Sequence, residues 1–81
     1  MSRQDKLIQK ILKGKSDITV DEAIKILEML NFHSSPTSGS HRTFRKSKCP
    51  SVTIVLTQNP IKFYLLEKLQ ETLKNEGYKN D

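Results

Sequence analysis

Apolar residues recur along this chain in three blocks of helical spacing and one block of strict alternation. Leu7, Ile8, Ile11 and Leu12 stand three and four residues apart, which puts their side chains on one face of a helix. The pattern predicts a short leading helix within residues 1–15, with Ser2 and Asp5 resembling a cap and Gly14 ending it. Its stripe is narrow, so three roles stay open: docking on the core, packing on a partner, or fraying. A second helix is expected from the capping-box spacing of Thr19 and Glu22, in which each side chain satisfies a backbone donor that the first turn leaves free. Ala23, Ile26, Leu27 and Leu30 then fill one face, Ile24 widens it, Lys25 and Glu28 point to water, and Asn31 serves as a left-handed terminator.

Beyond Phe32 the period changes. Residues 32–39 are poor in apolar side chains and contain Pro36, which cannot donate to a ladder, so a strand here belongs at a sheet edge. Residues 41–46 form a second expected strand. In residues 51–57, Val52, Ile54 and Leu56 alternate with Thr53, Val55 and Thr57, the clearest strand signal in the chain. The intervening Ser47–Pro50 makes a hairpin. Asn59 and Pro60 place a capping side chain and a first-turn proline ahead of a last helix, in which Ile61, Leu65, Leu66, Leu69 and Leu73 share a face and Gly77 closes the pattern. The expectation is an α+β domain with a three-stranded antiparallel sheet covered by helices on one side. Residues 1–15 form a leading helix and linker, and residues 16–81 the domain proper.

Length and charge narrow the function. An 81-residue chain buries only about 60% of the surface its unfolded form exposes and cannot easily enclose a deep cavity. A site is therefore expected to be open. The single Cys49 forms no intrachain disulfide, and no apolar stretch approaches the length of a membrane span or a secretory signal; a reducing cytoplasm fits best. One Cys and two His without metal-ligand spacing point to no metal, and no cofactor is expected. Net charge is +5, yet between Met29 and Leu66 there is no acidic residue, while Arg42, Arg45, Lys46, Lys48 and Lys62 fall in that interval. The other nine Lys and Arg are balanced by nine Asp and Glu. The net charge thus belongs to the middle of the chain, as expected of either a phosphate-attracting surface or an ordinary solvated strand and turn.

Strand parity then sorts the candidate chemistry. Phe44 is the largest apolar side chain on the middle strand and should face the helices. His41, at an odd offset from it, falls on the open face with Thr43 and Arg45. An imidazole has a reference pKa of about 6.5, so it keeps a useful neutral fraction near pH 7 and can take the proton of a ribose 2′-hydroxyl. Arg or Lys donors stabilise the negative charge that gathers on the non-bridging phosphate oxygens as the ribose oxygen attacks phosphorus. The alternative is an ordinary surface histidine beside a basic strand. His33 is read as a structural residue of the edge strand. Cys49, before Pro50 in a turn, has no evident base beside it. Phe63 and Tyr64 at the start of the last helix either pack on the core or the helix cap, or stack on an RNA base.

Gly39-Ser40-His41 followed by Phe44 and a basic residue, a Val/Ile-rich strand and a terminal amphipathic helix resembles the HicA (YcfA-like) toxin family of mRNA interferases, over roughly residues 20–77. The helix ending in Asn31-Phe32 is similar to the family's helix followed by Gly-Phe. The resemblance implies a fold like the double-stranded-RNA-binding domain, with one helix, three antiparallel strands and a final helix, here preceded by an extra helix. It implies a bacterial cytoplasmic toxin that cleaves mRNA, a neutralising HicB-like antitoxin over the basic face, and a catalytic role for His41. Gly39, Ser40, Arg42, Thr43, Arg45, Lys46 and Lys48 are the candidate RNA contacts. Three departures stand out: Val55-Leu56-Thr57 lacks the further histidine that many relatives carry there, Asn31 replaces a glycine, and the leading helix is not a typical family feature. A non-catalytic RNA-binding module and a protein-interaction domain remain as competing readings.

Overall fold

The computed structural model describes residues 3–14 and 17–80, with the side chains of residues 36–38 left aside. Among the described residues the chain forms α1 (Arg3–Lys13), α2 (Val20–Met29), β1 (His33–Ser38), β2 (His41–Arg45), β3 (Val52–Val55) and α3 (Phe63–Asn75). The strands make one antiparallel sheet in the order β1-β2-β3. The class is α+β, in the expected element order. Ser2, expected to cap α1, lies outside the described residues.

The helices form where local chemistry closes their ends. At α2, the Thr19 hydroxyl accepts from the Glu22 N–H at 3.1 Å and the Thr19 N–H donates to the Glu22 carboxylate at 3.0 Å, the reciprocal capping box. That backbone donor, with the Lys10 ammonium beside it, holds the Glu22 carboxyl below its usual range against the opposing effect of burial. Its contribution to stability is therefore present above the unfolded-state pKa and lost as pH falls through the lowered folded value. At the other end Asn31 has φ 69°, and Phe32 N–H donates to the Leu27 carbonyl at 2.9 Å. This is a Schellman motif with asparagine in the left-handed position. α3 ends in the same way on Gly77, with Tyr78 N–H donating to the Leu73 carbonyl at 3.0 Å.

The start of α3 differs from expectation. Asn59 and Pro60 stand ahead of the helix, whose first residue is Phe63 and whose N-cap Lys62 makes no side-chain capping bond. Asn59 instead caps a different helix: its Oδ1 accepts from the Val20 N–H at 2.8 Å, at the first turn of α2. Ile61, expected on the helical face, is half-buried ahead of α3 and donates its N–H to the Ile18 carbonyl at 2.8 Å. The third strand is also shorter than 51–57, because Gln58 N–H turns back to the Val55 carbonyl at 3.1 Å. The middle strand ends at Arg45 rather than residue 46.

One buried cluster joins all of this. Ile8, Ile11 and Leu12 of α1, Ala23, Ile26 and Leu27 of α2, Phe44 of β2, Val52 and Ile54 of β3, and Leu65, Leu69 and Leu73 of α3 all belong to it. Of the roles left open for the leading helix, docking on the core is the one observed. The Gln70 amide of α3 fastens it by donating to the Ile11 carbonyl at 3.0 Å and the Leu12 carbonyl at 3.4 Å. A Lys10–Glu22 ion pair at 3.0 Å links it to α2, adding at most about 1 kcal/mol at such partial exposure.

Candidate functional site

The β2 strand is the centre of the sheet, so its two faces meet different surroundings. Phe44 is buried among the helices, and Arg42, at an even offset from it, shares that side and is half-buried. His41, Thr43 and Arg45 point to the opposite face, where His41 and Arg45 are exposed. No strand of this sheet carries an Asp or Glu.

Backbone pairing orders that face. Leu56 N–H donates to the Ser40 carbonyl at 2.7 Å, just beyond the paired residues His41 and Val55. Antiparallel ladders alternate between hydrogen-bonded and non-hydrogen-bonded pairs, so Thr43 and Thr53 form a non-bonded pair, whose side chains approach most closely. Their hydroxyls lie 3.1 Å apart. That contact satisfies Thr43, which is buried although it faces away from the helices. The same alternation turns the missing donor of Pro36 outward at the free edge of β1, which is why a proline is tolerated there.

His41 is presented by a turn. Gly39 has φ 51° with open space around its would-be Cβ, and Ser40 is half-buried beside it; together they return the chain from β1 so that His41 is the first residue of β2. The candidate set therefore divides. Gly39, Ser40, His41, Thr43 and Arg45 form the turn and the open face. Arg42 lies on the helix side. Lys46 leaves the face: its ammonium is 2.5 Å from a Glu76 carboxylate oxygen and 5.9 Å from the centre of the Phe32 ring. Lys48 is exposed at the far hairpin turn with φ 66°. Arg45 stands four residues along β2 from His41, about 13 Å by strand rise, so the two side chains do not converge on one point.

His33 also belongs to this face. It pairs with Arg45 across β1 and β2, and it is exposed. From the Gly39–Ser40 turn, regular pairing would set His33 opposite Lys46 on the helix side. The register shifts between Pro36 and Ser38, and one extra residue at Thr37 flips every residue before it to the other face. Composition offers no signal for that bulge. Phe63 and Tyr64 are 71% and 61% exposed, so the core-packing alternative for these two does not hold. Cys49 is half-buried against the core in the hairpin turn.

Comparison with protein-family profiles, curated proteins and solved structures returns no match. Among the described residues, no three or more His, Cys, Asp or Glu side chains are grouped so as to hold a metal ion, and no helix is long and apolar enough to cross a membrane.

Proposed function

We propose that this chain is a cytoplasmic endoribonuclease of the HicA-like toxin type, cleaving mRNA without a metal through His41 as general base. The observation that carries the reading is the placement of His41: exposed, first on the central strand, after a left-handed glycine turn, on a helix-free face with Thr43 and Arg45 and no carboxylate on any strand. The order α2, β1, β2, β3, α3 is also that of the double-stranded-RNA-binding fold which the resemblance implies.

The chemistry follows from what these groups can do. The neutral imidazole takes the 2′-hydroxyl proton, the freed oxygen bonds to the adjacent phosphorus, and the bond from phosphorus to the 5′ oxygen breaks. A 2′,3′-cyclic phosphate remains, and the departing oxygen takes a proton from water. With Lys46 bound to Glu76, Arg42 on the helix side and Arg45 about 13 Å along the strand, the neighbours of His41 left to stabilise the developing charge are Ser40 and the turn backbone. No second imidazole stands at the end of β3 to act as acid, so turnover is slow. A HicB-like antitoxin would neutralise the protein by covering the same face.

The absent second histidine and the engaged Lys46 favour one other reading, an RNA-binding module without catalysis. Incubating mRNA with the purified chain in EDTA separates the two. The nuclease reading expects discrete cleavage; an intact transcript that stays bound, with affinity falling as salt rises, supports the module instead.

A further inference from the structure

The outer edge of β3 carries a second feature that the cleavage chemistry does not use. A shallow cleft of about 260 Å³ runs between β3 and the first turns of α3, floored by Val52 and Leu65 and walled by Ser51, Thr53, Tyr64 and Lys68. Tyr64 and Lys68 stand one helical turn apart, so ring and ammonium lie on the same side of α3. The Tyr64 ring, 61% exposed, leaves an aromatic surface open at a place where the amphipathic pattern of α3 does not need one.

The strand supplies the other half. Since the Leu56 N–H bonds to the Ser40 carbonyl at 2.7 Å, the ladder alternation points the main-chain N–H and C=O of Thr53 away from β2, toward the free edge that borders the cleft. A donor and an acceptor side by side are what the edge of a nucleobase pairs with. Thr53 also lies two residues along β3 from Val55, which faces His41 across the ladder; by strand rise that is about 7 Å. The cleft thus borders the edge of the sheet about two residues along the strand from the candidate cleavage face.

We propose that this cleft holds one unpaired base of a single-stranded RNA, stacked on the Tyr64 ring, with the Lys68 ammonium at a neighbouring phosphate and the Thr53 main chain reading the base edge. The proposal rests on the RNA reading of the His41 face and deepens it by giving the substrate class: a flexible single strand that can splay a base, rather than a duplex whose bases are stacked away. Stacking on an aromatic side chain tolerates every base because each has a π-face. Any base preference therefore comes from the Thr53 edge.

Tyr64 and Tyr78 are the only tyrosines and the chain has no tryptophan, so Tyr64 can report on itself. In a His41→Ala, Tyr78→Phe protein, which retains the cleft but lacks the proposed base, a single-stranded RNA hexamer should quench the remaining tyrosine fluorescence as it binds. Adding Tyr64→Ala should weaken binding by roughly 5- to 100-fold, while Tyr64→Phe, which keeps the ring, should hold affinity within about twofold. Because Tyr64 is largely exposed, circular dichroism should show the same fold in all three. Hexamer binding with unchanged fluorescence and no loss in Tyr64→Ala overturns the base site and leaves the RNA reading standing. No binding to the parent protein overturns both.

Discussion

His41→Ala is expected to lower the rate of RNA cleavage by about 10²- to 10⁴-fold, the usual contribution of a positioned general base. The loss should fall on turnover more than on affinity, since the substitution leaves Arg45 and the remaining polar groups of the open face in place. Stability should hardly change, because His41 is exposed at a strand end and a substitution there is usually worth less than about 0.5 kcal/mol. Circular dichroism and thermal unfolding provide the control, and gel analysis of a labelled transcript in EDTA provides the rate. Equal cleavage by both proteins would remove His41 from the mechanism, whatever the face does.

Gly14→Ala is expected to destabilise the fold by about 2 kcal/mol while leaving the candidate site intact. Gly14 has φ 64°, where a Cβ is strained by roughly 1–2 kcal/mol. That Cβ would also come within 2.8 Å of the Gln70 amide nitrogen. Gln70 is flexible enough to move aside, but in doing so it releases the Ile11 carbonyl at the end of α1, a loss of about 1 kcal/mol. For a domain of this size the sum lowers the melting temperature by roughly 10 °C. Gly39→Ala separates the two causes, since Gly39 has φ 51° but nothing within 4 Å of its would-be Cβ. It should cost about half as much. Equal losses at the two glycines would show that the Gln70 clasp contributes nothing to holding α1 in place.

How far the sequence reveals this fold depends on the range of each interaction. α2 is legible at both ends because its cap and terminator lie within one turn of the helix: Thr19 with Glu22, and Asn31 with φ 69°. The apolar faces of α1, α2 and α3 are legible for the same reason, since periodicity is local. The open face of β2 follows from counting two residues at a time from Phe44, which is how His41, Thr43 and Arg45 come together. Two of the misplaced features turn on distant partners. Asn59 has the composition of a cap for the helix that follows it, but its oxygen serves Val20, which is 39 residues earlier. Lys46 belongs by charge to the candidate RNA contacts, yet it is held by Glu76, 30 residues later. His33 belongs to the edge strand by sequence, but its face does not follow from counting, because the local bulge at Thr37 reverses parity.

The candidate face is therefore legible in its position and only partly in its membership. The acid-free interval from Met29 to Leu66 contains all three strands, so the absence of carboxylates on the sheet could be read in advance. The apparent pool of cations could not. Arg42 projects to the helix side and Lys46 is neutralised, leaving Arg45 beside His33 as the basic end of the face. The alternatives for Tyr64 stay open in the sequence for a related reason: a helical period shows which positions face the sheet, but not which of the others stay exposed at the sheet's edge.

The central claim is that the open face of the sheet cleaves RNA by using the ribose 2′-hydroxyl itself. A DNA strand carrying a single ribonucleotide tests it most directly, incubated with the purified chain in EDTA and read by mass spectrometry of the products. Cleavage is expected only on the 3′ side of the ribonucleotide, leaving a 2′,3′-cyclic phosphate and a 5′-hydroxyl, and none when that residue is 2′-O-methylated. Cutting at deoxynucleotides, or products ending in a 3′-hydroxyl and a 5′-phosphate, would contradict it.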